Sequence, residues 1–131
     1  MLDFDDILPE KLVEFSTEIS TLVLKARQTA TEAYAPYSMF RVGASVLLDN
    51  GQIVSGNNQE NMAYPSGLCA ERVALFSAGA QYPNAVFKAL ALFSPDLDSD
   101  ELPVTPCGAC RQVMFEYELR QDAPMAVYFV S

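Results

Sequence analysis

Pro106-Cys107-Gly108-Ala109-Cys110-Arg111-Gln112 sets two cysteines three residues apart behind a proline. If they open a helix, both thiols fall on one face and can close on a single ion. Two thiols do not make a metal site. The chain has three cysteines and no histidine, so the third soft ligand can only be Cys69, in the upstream stretch Leu68-Cys69-Ala70-Glu71-Arg72. Zinc that does chemistry takes three protein ligands and keeps a position for water, whereas structural zinc is normally closed by four. Three thiols with no fourth Cys or His read as an open zinc site, and Glu71 is left over two residues from a ligand.

Thr105 is an N-cap candidate ahead of Pro106, so a helix is expected from the second cysteine pair through Val113, Met114 and Tyr117. A second helix is expected from about Leu68 through Val73, Ala74, Leu75 and Phe76, with Gly79 as its stop. Near the N-terminus, Pro9 suits a first helical turn. Leu12, Phe15, Ile19, Leu22, Val23, Ala26, Ala30 and Ala33 then form one apolar stripe that must end before Pro36. Phe40 to Leu48 is rich in small and β-branched residues and reads as a strand. Asp49-Asn50-Gly51-Gln52 carries the Asn-Gly pair of a two-residue hairpin, with Gln52 to Gly56 returning antiparallel. Phe87 to Phe93 and Met125 to Val130 are the remaining strands. Tyr34 to Tyr37 and the acidic run from Ser94 to Leu102 read as solvated loops. A leading helix followed by β-β-α-β-α-β implies an α/β fold, a three-layer α/β/α sandwich with a mixed β-sheet, in one domain over residues 1–131.

Composition narrows the partners. A net charge of -9 over 131 residues, with eight Lys and Arg, argues against nucleic acid, whose binders need basic surface to displace counterions. A small neutral ligand fits better. Three cysteines cannot form a fully paired disulfide framework, and their spacing suits metal binding in a reducing compartment, so the expected location is cytoplasmic. Met1 to Asp6 is acidic, unlike a signal peptide, and no apolar run is long enough to span a bilayer, so no membrane association is expected.

Cys69-Ala70-Glu71 and Pro106-Cys107-Gly108-Ala109-Cys110 match, position for position, the Cys-x-Glu and Pro-Cys-x-x-Cys signature of zinc nucleobase deaminases. With Arg72 after Glu71 and Arg111-Gln112 after Cys110, the chain resembles the small zinc-dependent cytidine deaminases of the three-cysteine, homotetrameric type. The resemblance implies hydrolytic deamination of free cytidine or deoxycytidine to uridine or deoxyuridine, within pyrimidine salvage. A zinc-activated water attacks C4, and Glu71 carries its proton to ring N3 and then to the departing ammonia. It also implies that Asn58 and Glu60 hold the ribose hydroxyls and that Phe40 packs near the nucleoside. Members of the family usually continue past the last strand into a tail whose aromatic residue reaches a neighbouring subunit's pocket, and no such tail stands before Ser131.

Charge and hydropathy add two expectations. Zinc with three thiolates keeps a formal charge of minus one, which weakens its power to acidify water. Arg72 and Arg111 are near enough in sequence to offset that charge by donating to sulfur, Arg72 first. The chain is 50% apolar with a positive mean hydropathy, more apolar surface than a small monomer readily hides. This agrees with the homotetramer that the resemblance implies, with Tyr64-Pro65-Ser66-Gly67 as a contact. Two other readings compete: a blasticidin S-type nucleoside deaminase, which shares the cysteine stretches, and a non-catalytic binding module that keeps zinc for structure. Asn58-x-Glu60 and Arg72 favour cytidine.

Overall fold

In the computed structural model, which describes residues 16–98 and 103–130, β1 (Gly43–Leu48) is the strand against which the other elements pack. All of its residues are buried, as expected of a strand with neighbours on both edges and both faces. β2 (Ile53–Asn57) pairs antiparallel along one edge and β3 (Phe87–Phe93) antiparallel along the other. β4 (Ala126–Val130) runs parallel to β3, so the sheet is mixed, with the order β2-β1-β3-β4.

Alternate side chains of a strand point to opposite faces. On one face, Ala44, Val46, Leu48, Val54, Leu90 and Leu92 meet Ala70, Ala74, Leu75 and Ala78 of helix α2 (Ala70–Gln81). Val113, Met114 and Tyr117 of helix α3 (Gly108–Gln121) pack against the same cluster. On the other face, Leu47, Ala89 and Ala91 lie under Leu22 and Ala26 of helix α1 (Thr17–Ala30). Ser45, fully buried, donates its hydroxyl to the Leu22 carbonyl at 2.5 Å. This is the three-layer α/β/α sandwich with a mixed sheet expected from the sequence. No helix among the described residues is long and apolar enough to cross a membrane.

Helix α2 lies unusually close to β2. A Cβ added at Gly56 would come within 2.5 Å of the Ala74 amide nitrogen and 3.0 Å of the Ala70 carbonyl. Because those are backbone atoms, the helix cannot yield without sliding. Gly56 thus sets the height of α2 over the sheet and, through it, the position of Cys69 at the helix start.

Several boundaries differ from the expectations. Ser16 caps α1 by accepting from the Ile19 amide, while Pro9, Leu12 and Phe15 lie outside the described residues. The helix ends at Ala30, so Ala33 stands beyond it in the connector. Strand β1 begins at Gly43 rather than Phe40, since Met39 takes a left-handed backbone (φ 57°) and the Arg41 and Val42 amides are bound by side chains. The hairpin is not a two-residue turn. Leu48 bonds to Gln52, Gly51 donates back to the Leu48 carbonyl, and Gly51 alone in the turn has a positive φ, of 83°. A three-residue loop with glycine in the left-handed position meets those conditions, whereas a primed two-residue turn would need Asn50 left-handed as well.

Gly79 does not stop α2, which continues to Gln81. Its missing side chain instead makes room for Tyr117 of α3, whose hydroxyl would lie 2.5 Å from a Cβ there. The acidic run after β3 is not wholly solvated either: Ser94 is buried, and Asp96 forms an ion pair with Arg41 at 2.8 Å. Nor is the connector at Tyr34 free, because Tyr34 pairs through its backbone with Asn58 and Glu60.

Candidate metal centre and active site

Both helices that face the second layer begin on a cysteine. Cys69 is the N-cap of α2 (φ -69°, ψ 155°) and Cys107 the N-cap of α3 (φ -68°, ψ 171°). An N-cap residue is extended, while its carbonyl already accepts the first helical bond. Here Val73 donates to the Cys69 carbonyl and Arg111 to the Cys107 carbonyl. Thr105 is therefore not the cap of α3; the Cys107 sulfur takes that place, accepting from the Cys110 amide at 3.5 Å. The Cys-x-x-Cys spacing is thus the spacing of a cap and its N3 position. It brings Cys110, fully buried, beside Cys107, which is exposed.

Cys69 and Cys107 sulfurs are 3.8 Å apart, Cys107 and Cys110 sulfurs 3.4 Å, and all three lie within 4.8 Å of one another. A tetrahedral zinc with Zn–S bonds of about 2.3 Å spaces its sulfurs about 3.8 Å apart. The donor set and its dimensions fit zinc. The two helix N-termini also aim their positive ends at the thiols, which favours thiolate over thiol.

As free thiols, Cys69 and Cys110 share their protons unequally. Hydrogen bonding with Cys110 holds the Cys69 thiol down to about 5 against the opposing effect of burial, with Arg72 helping. The same hydrogen bond, together with burial, raises Cys110. Arg72 at N3 of α2 donates Nη2 to Cys69 at 3.6 Å and is held above its ordinary value first by that bond. Its Nε is buried with no partner among the described residues. Arg111 is exposed on α3, and no hydrogen bond joins it to a cysteine sulfur among the described residues.

Glu71 occupies the N2 position of α2 and is 4% exposed. Its Oε2 accepts from the Cys110 sulfur at 3.6 Å. Burial pushes its carboxyl above the ordinary glutamate range, and negative charge on Cys69 adds to the shift. A carboxyl buried beside the metal ligands, and disposed to hold a proton, is suited to general acid–base work.

A groove of about 560 Å³ opens next to the trio, lined by Tyr37, Ser38, Asn58, Glu60, Tyr64 and Leu68 and by Cys69 and Arg72. That volume is in the range of small-ligand sites, about 300–1,000 Å³. Of the residues expected to touch substrate, Asn58 and Glu60 line this groove and Phe40 does not. Phe40 packs instead against the core between the sheet and α2, and its carbonyl accepts from Asn58 Nδ2 at 2.9 Å. Asn58 also accepts from the Val42 amide at 2.8 Å. A primary amide has two donor hydrogens and two acceptor lone pairs, so half of its capacity remains for a ligand. Glu60 Oε1 accepts from the Tyr37 and Ser38 amides at 3.0 and 3.1 Å, and bonding from Ser38 holds the carboxyl below its usual range.

Some of the groove and its support escaped the sequence reading. Tyr37 belongs to a stretch expected to be a solvated loop, and nothing in the sequence signals that the Tyr37 and Ser38 amides donate to Glu60. Arg41 and Asp96 are 55 residues apart and carry no local signal of pairing.

Comparison with known proteins agrees with this geometry. A family model described as "Cytidine and deoxycytidylate deaminase zinc-binding region" matches residues 16–123. A cytidine deaminase of Sporosarcina psychrophila is 43% identical over 114 residues, covering 87% of this chain and 78% of the relative. One from Mycobacterium tuberculosis is 43% identical over 106 residues, covering 76% of this chain and 74% of the relative. A blasticidin-S deaminase of Bacillus cereus is 26% identical over 110 residues, covering 82% of this chain and 71% of the relative. Among solved structures, cytidine deaminase from Burkholderia pseudomallei superimposes with a TM-score of 0.67 at 40% identity, covering 77% of this chain and 76% of that one. The family match spans both cysteine-capped helices and strands β1 to β3, and on that ground the chain belongs to the cytidine and deoxycytidylate deaminase zinc-binding family.

Proposed function

We propose that this protein is a zinc-dependent cytidine deaminase, which converts cytidine or deoxycytidine and water to the uridine nucleoside and ammonia. The observation that carries the reading is the buried Glu71 carboxyl, 3.6 Å from the sulfur of Cys110, at the edge of a three-thiol cluster of zinc dimensions. Its relatives at 43% identity bear the name cytidine deaminase, whereas the blasticidin-S relative stands at 26%. That difference, with Asn58 and Glu60 in the groove, disfavours the blasticidin reading. A non-catalytic zinc module is disfavoured because it gives no reason to bury an acid beside the ligands.

Cys69, Cys107 and Cys110 hold the zinc. When bound, the metal supplies Lewis-acid activation of the hydrolytic water. Glu71 takes a proton from that water and delivers it to ring N3, then takes the second proton from the new C4 hydroxyl and passes it to the departing amine, so one carboxyl serves in turn as base and acid. Arg72 offsets the excess negative charge of three thiolates through its bond to Cys69. Asn58 and Glu60 orient the sugar from the groove wall, and Phe40 stiffens the wall behind them rather than touching the base.

The groove suits a nucleoside better than a nucleotide. Among the described residues its one lining cation, Arg72, already serves Cys69, and its one lining carboxylate, Glu60, would repel a phosphate. Net charge of -9 acts in the same direction, and also against DNA or RNA. The assay that tests this offers cytidine, deoxycytidine, their 5′-monophosphates and blasticidin S in parallel. Turnover of the two nucleosides above the rest is expected, and a preference for a monophosphate or for blasticidin S would overturn the reading.

The protein is further proposed to act as a homotetramer in the cytoplasm, in pyrimidine salvage. Tyr37, Met39, Met62 and Tyr64 are 57%, 74%, 87% and 90% exposed. Tyr37 and Tyr64 line the groove, and the two methionines adjoin lining residues in sequence. Apolar side chains crowded at a groove mouth are what a neighbouring subunit would cover. Three unpaired cysteines suit a reducing compartment.

A further inference from the structure

Tyr37 and Ser38 line the groove, and the segment they open, residues 37–42, lies outside the sheet with much of its backbone held by side chains from elsewhere. Glu60 takes the amides of Tyr37 and Ser38, Asn58 takes that of Val42, and Asp96 takes that of Arg41 at 2.8 Å. Such external support answers a local difficulty: Met39 holds φ at 57°, sparsely populated for a residue with a side chain. The Met39 amide also donates to the Ala35 carbonyl and that of Phe40 to the Ser38 hydroxyl, so the distant anchors add to a turn that is locally bonded.

Asp96 differs from the other two anchors in where it comes from. Asn58 and Glu60 follow β2 directly, whereas Asp96 lies three residues past β3, in the segment that goes on to Cys107. It accepts three bonds from one residue: the Arg41 amide, Nε at 3.0 Å and Nη2 at 2.8 Å. Asp96 is itself anchored, since its amide donates to the hydroxyl of Ser94, a buried residue. The pair is partly exposed, with side chains 41% and 23% accessible, so as an ion pair it adds little to stability. What it provides is position.

We propose that Asp96 is a positioning residue for nucleoside binding. Clamped on Arg41, it fixes the Met39–Val42 segment, which continues from the groove-lining Tyr37 and Ser38, to the residues that follow β3. This rests on the cytidine deaminase reading, and wild-type turnover of cytidine tests that reading separately. The clamp concerns ground-state binding, so its loss should raise KM more than it lowers kcat.

The test compares zinc-loaded wild type with Asp96→Ala, Asp96→Asn and Arg41→Ala, measuring kcat and KM for cytidine, zinc content, and amide hydrogen exchange at Ser38 and Arg41. Asp96→Ala should raise KM roughly tenfold, the scale of one charge-assisted hydrogen bond, retain zinc, and speed exchange at the Arg41 amide. Arg41→Ala should raise KM less, because Asp96 still receives the backbone amide. If Asp96→Ala fails to fold or loses zinc, Asp96→Asn decides, with an intermediate rise in KM expected. Unchanged KM and unchanged exchange at Arg41 in a zinc-loaded, active Asp96 variant would overturn the proposal, as would a fall in kcat with KM constant.

Discussion

Arg72 Nη2 lies 3.6 Å from the sulfur of Cys69, closing a contact between the N-cap and N3 positions of one helix turn. The guanidinium is therefore placed to neutralise a thiolate rather than to meet substrate. Arg72→Ala should leave more negative charge at the centre, raise the pKa of the hydrolytic water, and move the rising limb of the kcat–pH profile upward by roughly one unit. Profiles recorded on zinc-loaded proteins check this. An unchanged limb would assign Arg72 to packing.

Gly56 and Gly79 are both crowded, and they should respond differently to alanine. The Gly56 Cβ would strike the backbone of α2 at Ala74, whereas that of Gly79 would strike the Tyr117 hydroxyl, the end of a side chain. Gly56→Ala should cost about 1–3 kcal/mol or more, as overpacking against a fixed backbone does. Gly79→Ala should cost less, though Tyr117 is stacked on Phe87 at 4.7 Å and is not wholly free to move. Denaturant unfolding of the two variants should give that order. The reverse order would mean that α2 is not fixed by β2.

The carboxyls of Glu60 and Asp96 are both held below their ordinary values of 4.5 and 3.8, Glu60 by bonds from Ser38 and Asp96 by bonds from Arg41. For a lowered carboxyl the stabilisation is complete above the unfolded value and is lost as pH falls through the folded one. Wild type should therefore lose melting temperature more steeply between about pH 5 and pH 3 than a Glu60→Gln/Asp96→Asn double variant does. Because both groups are exposed, the difference should be small. Parallel curves would mean that these anchors contribute nothing to the fold.

Tyr64, 90% exposed in the short 3₁₀ turn Tyr64–Ser66, is the residue on which the assembly proposal is most easily tested. Light scattering should show about four chains per particle for wild type, and Tyr64→Ala should weaken assembly and activity together. A fully active monomer would remove the assembly proposal without touching the zinc chemistry.

The metal half of the site was legible because few residue types can do the work. With three cysteines, no histidine and a Cys-x-x-Cys spacing, Cys69, Cys107 and Cys110 could be named before any fold was known. The layers were legible for a similar reason, since the apolar runs at Gly43–Leu48 and Phe87–Phe93 leave little choice but buried strands. Helix starts were harder. Thr105-Pro106 has the chemistry of a cap, yet the sulfur of Cys107 caps α3, and propensity does not weigh a thiol in that role. Gly79 carried the ordinary signal of a helix stop, and only the approach of Tyr117, 38 residues later in the chain, explains it otherwise. Phe40 and the Arg41–Asp96 clamp show the same limit: what those side chains do is decided by segments distant in sequence.

A three-thiol zinc centre and Glu71 are proposed to deaminate cytidine together. Zinc content and ammonia release from cytidine, measured in wild type and Glu71→Gln side by side, decide this. Wild type should carry about one zinc per chain and release one ammonia per uridine formed. Glu71→Gln should keep its zinc and lose at least ~10²-fold in turnover, the lower end for general acid–base catalysis. Zinc-loaded wild type that releases no ammonia, or Glu71→Gln that turns over as fast as wild type, would contradict it.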